Sequence, residues 1–399
     1  MIEQSAAAVE RPRLWAARAG VAERGVWTRH LRRVWWMPAT LLGTTRWPAT
    51  SGQRWFVWWN YWWQAHLLDC VVDAQLRRPT VQRVATVRAL TRGVRLRNIT
   101  SWTNRYYDDI AWLGLALHRA GKVAGVDRPR ALAEIARRLR RGWTDAGGGG
   151  IWWRRRDDFK NVPANGPAAI LFVRLAADGP PVGDPDDLAR ARAIAEWIEE
   201  HLVDPRTGLV WDGLRVNRDG TIRDVEKTIY TYCQGVLLGA YVELADATGD
   251  PTWTRRAMRT IDAVARHLTS QHGVLRGHGG GDGGLFTGIL TRYLAQAALR
   301  LYSAPEARHL AADLVLFSAE GAWRNRAGGP GGPLFGPDWS MPACLPDEPR
   351  PHRARGGSVR TVAPAEQDLS VQLSGWMALE AAALLERGGL TVRRAPGSL

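Results

Sequence analysis

From about residue 53 onward, apolar residues recur at helical spacing, and short breaks rich in Gly, Pro, Asp and Asn separate the periodic stretches. This spacing predicts eleven helices, near 53-77, 80-97, 107-121, 128-143, 165-177, 186-202, 228-248, 251-269, 284-302, 305-319 and 367-387. No stretch alternates convincingly enough to predict a strand. The helices near 128-143, 186-202 and 251-269 are amphipathic and rich in Arg and Glu, which suits an outer position. Those near 107-121, 165-177, 228-248, 284-302 and 367-387 are apolar nearly all round and belong inside. Alternation of the two kinds predicts an all-α fold, an (α/α)6 barrel in which an outer helix covers each inner one. Residues 50-388 form one such domain, preceded by a partly helical N-terminal extension (1-49) and followed by a C-terminal tail (389-399). The Gly- and Pro-rich stretch 320-365 reads as a surface excursion of that domain.

Polar residues gather at or just before the starts of the inner helices: Asp108 and Asp109, Asn161 and Asn165, Tyr230 with Tyr232 and Gln234, Asp282, and Gln367 with Asp368. If the inner helices run parallel, these ends converge on one polar pit, which is where a site belongs. Two adjacent carboxylates at a helix start have a plain structural use, since Asp there caps free N–H groups and suits the helix dipole. They also have a chemical one. Adjacent α-carbons lie about 3.8 Å apart, and short side chains diverging from them can hold their carboxyls at roughly 5 Å. That is the separation at which a retaining glycosidase sets nucleophile against acid/base. A rival pair, Asp157 and Asp158, follows Arg154, Arg155 and Arg156 and reads as surface ion pairing.

The charge of +15 is carried almost entirely by Arg spread along solvated helix faces, so no nucleic-acid partner is expected. Cys70, Cys233 and Cys344 are too few and too widely spaced for a disulfide framework or a zinc site. None of the nine His sits in a metal-binding motif, and neither a metal nor a cofactor is expected. The run Gly277–Gly284 lacks the residues of a phosphate-binding loop. The acidic motif of a terpene cyclase fails at Trp112. The apolar stretch Trp55–Trp63 is too short to span a bilayer. No signal peptide is visible, which reads as cytoplasmic, and a monomer is expected. Of the 21 Trp, Trp152, Trp153 and Trp211, in or beside Gly-rich loops, are the ones best placed to meet sugar rings.

Together these segments resemble glycoside hydrolase family 76, the α-1,6-mannanases, from about residue 50 to 388. Tyr106-Tyr107-Asp108-Asp109 with Ala111-Trp112 resembles the catalytic signature, and Gly148-Gly149-Gly150-Ile151-Trp152-Trp153 with Lys160-Asn161 and Asn165-Gly166-Pro167 resembles a second block. Thr207 to Gly213, Thr231-Tyr232-Cys233-Gln234-Gly235, and Gly279 to Gly288 extend the likeness in order. Cys233 stands where Asn is expected, and Leu113 where an aromatic is common. The resemblance implies a retaining endo-α-1,6-mannanase with Asp108 as nucleophile and Asp109 as acid/base. It also implies sugar contacts from Tyr107, Trp152, Trp153, Asn161, Asn165, Trp211, Asp212, Tyr232, Gln234 and Asp282. By the same analogy secretion is possible. Two other functions stay open: transglycosylation of cell-wall mannan or lipoglycan, and non-catalytic binding of a glycan or polyanion.

Overall fold

The computed structural model describes residues 13–345 and 364–392. Among them are thirteen α-helices: α1 (Leu14–His30), α2 (Ser51–Arg54), α3 (Tyr61–Arg77), α4 (Val81–Arg97), α5 (Tyr107–Ala124), α6 (Pro129–Arg140), α7 (Val162–Asp178), α8 (Asp187–Leu202), α9 (Thr231–Thr248), α10 (Pro251–His267), α11 (Gly283–Arg300), α12 (Pro305–Arg324) and α13 (Leu369–Arg387). Local chemistry sets several ends. The Asp250 side chain accepts the Thr252 N–H at 2.8 Å, ahead of a first-turn Pro251, and Gly249 in left-handed conformation closes α9.

Helices α3, α5, α7, α9, α11 and α13 pack side by side in chain order, and α13 closes the ring against α3. Helices α4, α6, α8, α10 and α12 each cover the inner helix before them. The eleven predicted helices leave this ring one outer member short. The missing one is α1, which lies within the segment set apart as an N-terminal extension and covers α13. Its apolar periodicity is weak because its inward face carries charge. Glu23 accepts from Arg77 and Arg83 at 2.7 Å, and Arg29 donates to the Pro333 carbonyl at 2.7 Å. The predicted helix 53-77 is in fact two: α2 ends at Arg54, the chain turns through left-handed Phe56 and Asn60, and α3 starts at Tyr61.

Four inner helices carry an amide side chain at their fourth residue: Gln64, Asn165, Gln234 and Gln372. Each accepts the backbone N–H and donates to the carbonyl of a single residue in the loop arriving from an outer helix. The partners are Gly43, Ile151, Val210 and Phe335, all at 2.7 to 3.1 Å. All four amides are fully buried, so this pairing meets a need that water cannot. Small residues let the inner helices approach closely. A Cβ at Gly288 of α11 would lie 2.6 Å from the Ser374 Cα of α13, and one at Gly235 of α9 would lie 2.9 Å from the Leu290 Cα of α11.

The inner helices run parallel, so each end of the barrel has its own chemistry. Toward their C-termini, ion pairs tie the ring together: Arg292 to Asp69 at 2.7 Å, Arg292 and Arg119 to Asp73 at 2.5 Å, and Glu243 to Arg174 and Arg300 at 2.7 and 2.9 Å. At the N-terminal end lies a three-stranded antiparallel sheet that the sequence pattern did not predict: Phe159–Asn161, Gly213–Val216 and Ile222–Glu226. Its strands have five residues or fewer, and the last is mostly exposed, so no alternation had room to develop. The part of the excursion 320-365 that is described adds a hairpin, Ala327–Gly329 with Gly332–Leu334. Among the described residues no helix is long and apolar enough to cross a membrane.

Candidate active site

The parallel inner helices bring their N-termini around a cavity of about 480 Å³. Helix α5 contributes Asp108 and Trp112, and α3 contributes Trp62. The sheet supplies Phe159, Asn161, Arg215 and Glu226, with Asp212 just ahead of its second strand. Tyr232 and Phe286, from α9 and α11, stack with ring centroids 3.9 Å apart and planes 8° from parallel. Tyr230 meets Phe286 edge-on at 5.1 Å, and Trp62 leans over Tyr232 at 6.5 Å. The result is a cleft with one aromatic wall and a set of carboxylates facing it.

Asp108 and Asp109 sit in the first turn of α5, both half-buried, in different surroundings. Asp108 accepts two hydrogen bonds: Oδ1 from the Asp109 backbone N–H at 2.8 Å, and Oδ2 from the Trp153 indole N–H at 3.0 Å. Trp153 is itself held by its backbone, which donates to the Phe159 carbonyl and accepts from the Tyr107 N–H, both at 2.8 Å. Asp109 accepts from the Asn104 side-chain amide at 2.5 Å. Burial lifts the Asp108 carboxyl to about 6, while its two N–H donors pull it back. Burial, and then the neighbouring Asp108 charge, push Asp109 well above the usual carboxylate range. The pair is therefore split, Asp108 ionising first and Asp109 keeping its proton.

Besides Glu226, two further carboxylates edge the cleft. Asp212 is lifted to about 7 by burial, then by Glu226 and Asp108, and the Cys233 thiol contacts it at 3.9 Å. Asp282, just before α11, accepts from the indole N–H groups of Trp62 and Trp63 at 3.1 and 2.8 Å. These bonds fix Trp62 in the aromatic wall and join α3 to α11 across the mouth.

The sequence profile of glycosyl hydrolase family 76 matches residues 36–346. The chain belongs to this family. An α-1,6-mannanase of Salegentibacter sp. HEL1_6 has a similar structure, with TM-score 0.77 and 32% identity, covering 93% of this chain and 99% of that one. An inactive variant of that enzyme, with two consecutive aspartates replaced by alanine, is known in complex with α-1,6-mannotetraose; it gives TM-score 0.78 and 31% identity over the same shares. The mannan endo-1,6-alpha-mannosidase DCW1 of Eremothecium gossypii is 26% identical over 205 residues, which span 48% of this chain and 44% of that enzyme.

Within this family 76 fold, Asp108, Trp153, Asn161, Asp212, Tyr232 and Asp282 line the cleft. Other predicted contacts lie elsewhere. Asn165 and Gln234 spend their amides on the loop clamps described above. Tyr107 turns toward Gly142 at the end of α6, where an added Cβ would come within 2.7 Å of its ring. Trp152 lies under the Lys160 ammonium at 4.5 Å, and Trp211 under that of Lys227 at 4.9 Å. Lys160 donates to the carbonyls of Thr144, Ala146 and Gly149, so it braces the Gly-rich loop and not the cleft. The rival pair is tied up in ions, Asp157 with Arg154 and Asp158 with Arg215 and Arg223 at 2.9 Å.

Trp62, Phe159, Arg215, Glu226 and Thr228 also line the cleft, though no motif in the sequence marks them. Trp62 was hidden inside a helix drawn too long. Phe159, Arg215 and Glu226 ride on the unpredicted sheet, and Thr228 follows its last strand.

Proposed function

We propose that this chain cleaves α-1,6-mannosidic bonds within a mannan-type polysaccharide, with retention of configuration. The observation that carries the reading is the unequal pair on α5: an acceptor-rich Asp108 that ionises first, beside an Asp109 that holds its proton. Asp109 donates its proton to the glycosidic oxygen as the bond breaks, and Asp108 attacks the anomeric carbon to form a glycosyl ester. Water then displaces that ester, and Asp109 takes the proton from it. The Trp153 indole N–H holds Asp108 in attacking orientation. The Trp62–Tyr232–Phe286 wall offers flat faces to the C–H surfaces of sugar rings.

The Salegentibacter enzyme is inactive without two consecutive aspartates and binds α-1,6-mannooligosaccharide, which supports the same roles for Asp108 and Asp109. Incubation with α-1,6-mannooligosaccharides should release shorter products whose first-formed anomer, read by NMR, is α. Inverted product, or full activity in Asp108→Asn, refutes the scheme. Excess acceptor sugar separates hydrolysis from transfer, since only transfer builds longer chains.

A further inference from the structure

The turns ahead of α3 and α5 carry an apolar surface with no role in the cleft. Trp36, Trp58 and Ile99 are 81%, 63% and 84% exposed, and Trp35, Met37, Trp55 and Val57 are exposed beside them. The pieces are joined: the Trp35 indole donates to the Trp55 carbonyl at 3.0 Å, and Arg97 lies over both the Trp35 and Trp59 rings while donating to the Phe56 carbonyl at 2.6 Å. An exposed cluster of this size marks an interaction site.

The backbone here is held against its preferences. Of the eight non-glycine residues with left-handed φ among those described, seven fall in these turns, including Trp35, Trp36, Phe56 and the β-branched Ile99 and Thr100. Such conformations are costly for bulky side chains and persist where the surrounding structure imposes them, often at functional sites.

The chain segments that build the patch carry charge of one sign. Arg32, Arg33, Arg54 and Arg95 are exposed at its rim. Between Glu23 and Asp69, and again between Asp73 and Asp108, the sequence has not one Asp or Glu. Flat indoles mixed with Met, Val and Ile suit hydrocarbon better than sugar, because a glycan platform needs polar partners beside each ring. Aromatic and aliphatic side chains rimmed by Arg are the surface chemistry of proteins that lie in the headgroup layer of an anionic membrane.

We propose that this face docks the enzyme on an anionic phospholipid bilayer. Trp58 is four residues before Trp62, so the docked face starts within about 14 Å of a residue that lines the cleft.

The test is co-sedimentation of the whole protein with vesicles of phosphatidylcholine alone or with about a third phosphatidylglycerol. Binding is expected only to the anionic vesicles, weakening as salt is raised. The double substitution Trp36→Ser with Trp58→Ser should lower binding about tenfold or more, with circular dichroism and cleavage of soluble mannooligosaccharide unchanged. Arg33→Glu with Arg54→Glu, which leaves the apolar residues in place, should do the same. Absence of binding to anionic vesicles, equal binding to both kinds, or wild-type binding by both variants overturns the proposal. So does a dimer in light scattering that the Trp substitutions dissociate while no vesicle is bound. Vesicle binding is read without any glycan, so it stands or falls apart from the hydrolase reading.

Discussion

Replacing Asp108 by Asn probes the electrostatics of the catalytic pair in a single step. Burial raises this carboxyl from its ordinary 3.8 to about 6. Ionising it therefore costs about 3 kcal/mol more in the folded protein than in the unfolded chain, at 1.36 kcal/mol per pKa unit. Between about pH 4 and pH 6 the folded protein keeps a proton on Asp108 that the unfolded chain has released, so this group's share of stability falls as pH rises through that window. Asn has no such titration. It also offers one acceptor oxygen to two donors, the Asp109 N–H and the Trp153 indole N–H, and leaving one of them unpaired costs about 1–3 kcal/mol at every pH. Removing the Asp108 charge further eases ionisation of Asp109, which acts in the same direction. The variant should therefore be the less stable protein near pH 4 and should gain about 3 kcal/mol on wild type by about pH 7. Urea unfolding of both proteins across this range measures the difference, and subtraction cancels the titrating groups that do not feel the Asp108 charge, leaving Asp108 with its neighbours Asp109 and Asp212. A difference that stays flat from pH 4 to pH 7 would refute the reasoning. The same variant should lose activity by about a thousandfold or more. In the wild type, kcat/KM should rise with pH through about 6 as Asp108 ionises.

Trp153→Phe removes the indole donor from Asp108, so kcat should drop about tenfold and the acid limb of the pH–rate profile should move upward; an unmoved limb would mean the hydrogen bond does not tune the carboxyl. Gln234→Leu leaves the Val210 N–H and carbonyl unpaired in the core and should cost about 2–4 kcal/mol in chemical denaturation, with KM for mannooligosaccharides unchanged; a raised KM with stability intact would return Gln234 to the substrate. Gly288→Ala drives a methyl into the α13 backbone at Ser374 and should cost about 1–3 kcal/mol, read as a lowered Tm; no change in Tm would show that α11 and α13 can part freely.

Helix periodicity by itself fixed the alternating barrel, because an inner helix must be apolar on every side and an outer one on a single stripe. It also placed Asp108, Asp109, Tyr232 and Asp282 near the mouth, since polar residues at the N-termini of otherwise apolar helices have few other uses. Family resemblance supplied the roles and the sugar. What periodicity could not yield were features made by partners distant in sequence. Helix α1 looked too polar to pack until Glu23 met Arg77 and Arg83, more than fifty residues away. Asn165 and Gln234 looked like ligand-binding amides, and only the loops folded onto them show where their hydrogen bonds go. Residues 55–60 looked helical by composition, yet left-handed turns at Phe56 and Asn60 carry Trp55, Val57 and Trp58 out to solvent. A sequence pattern reports which side of an element is apolar; whether that side is covered depends on what the rest of the chain brings to it.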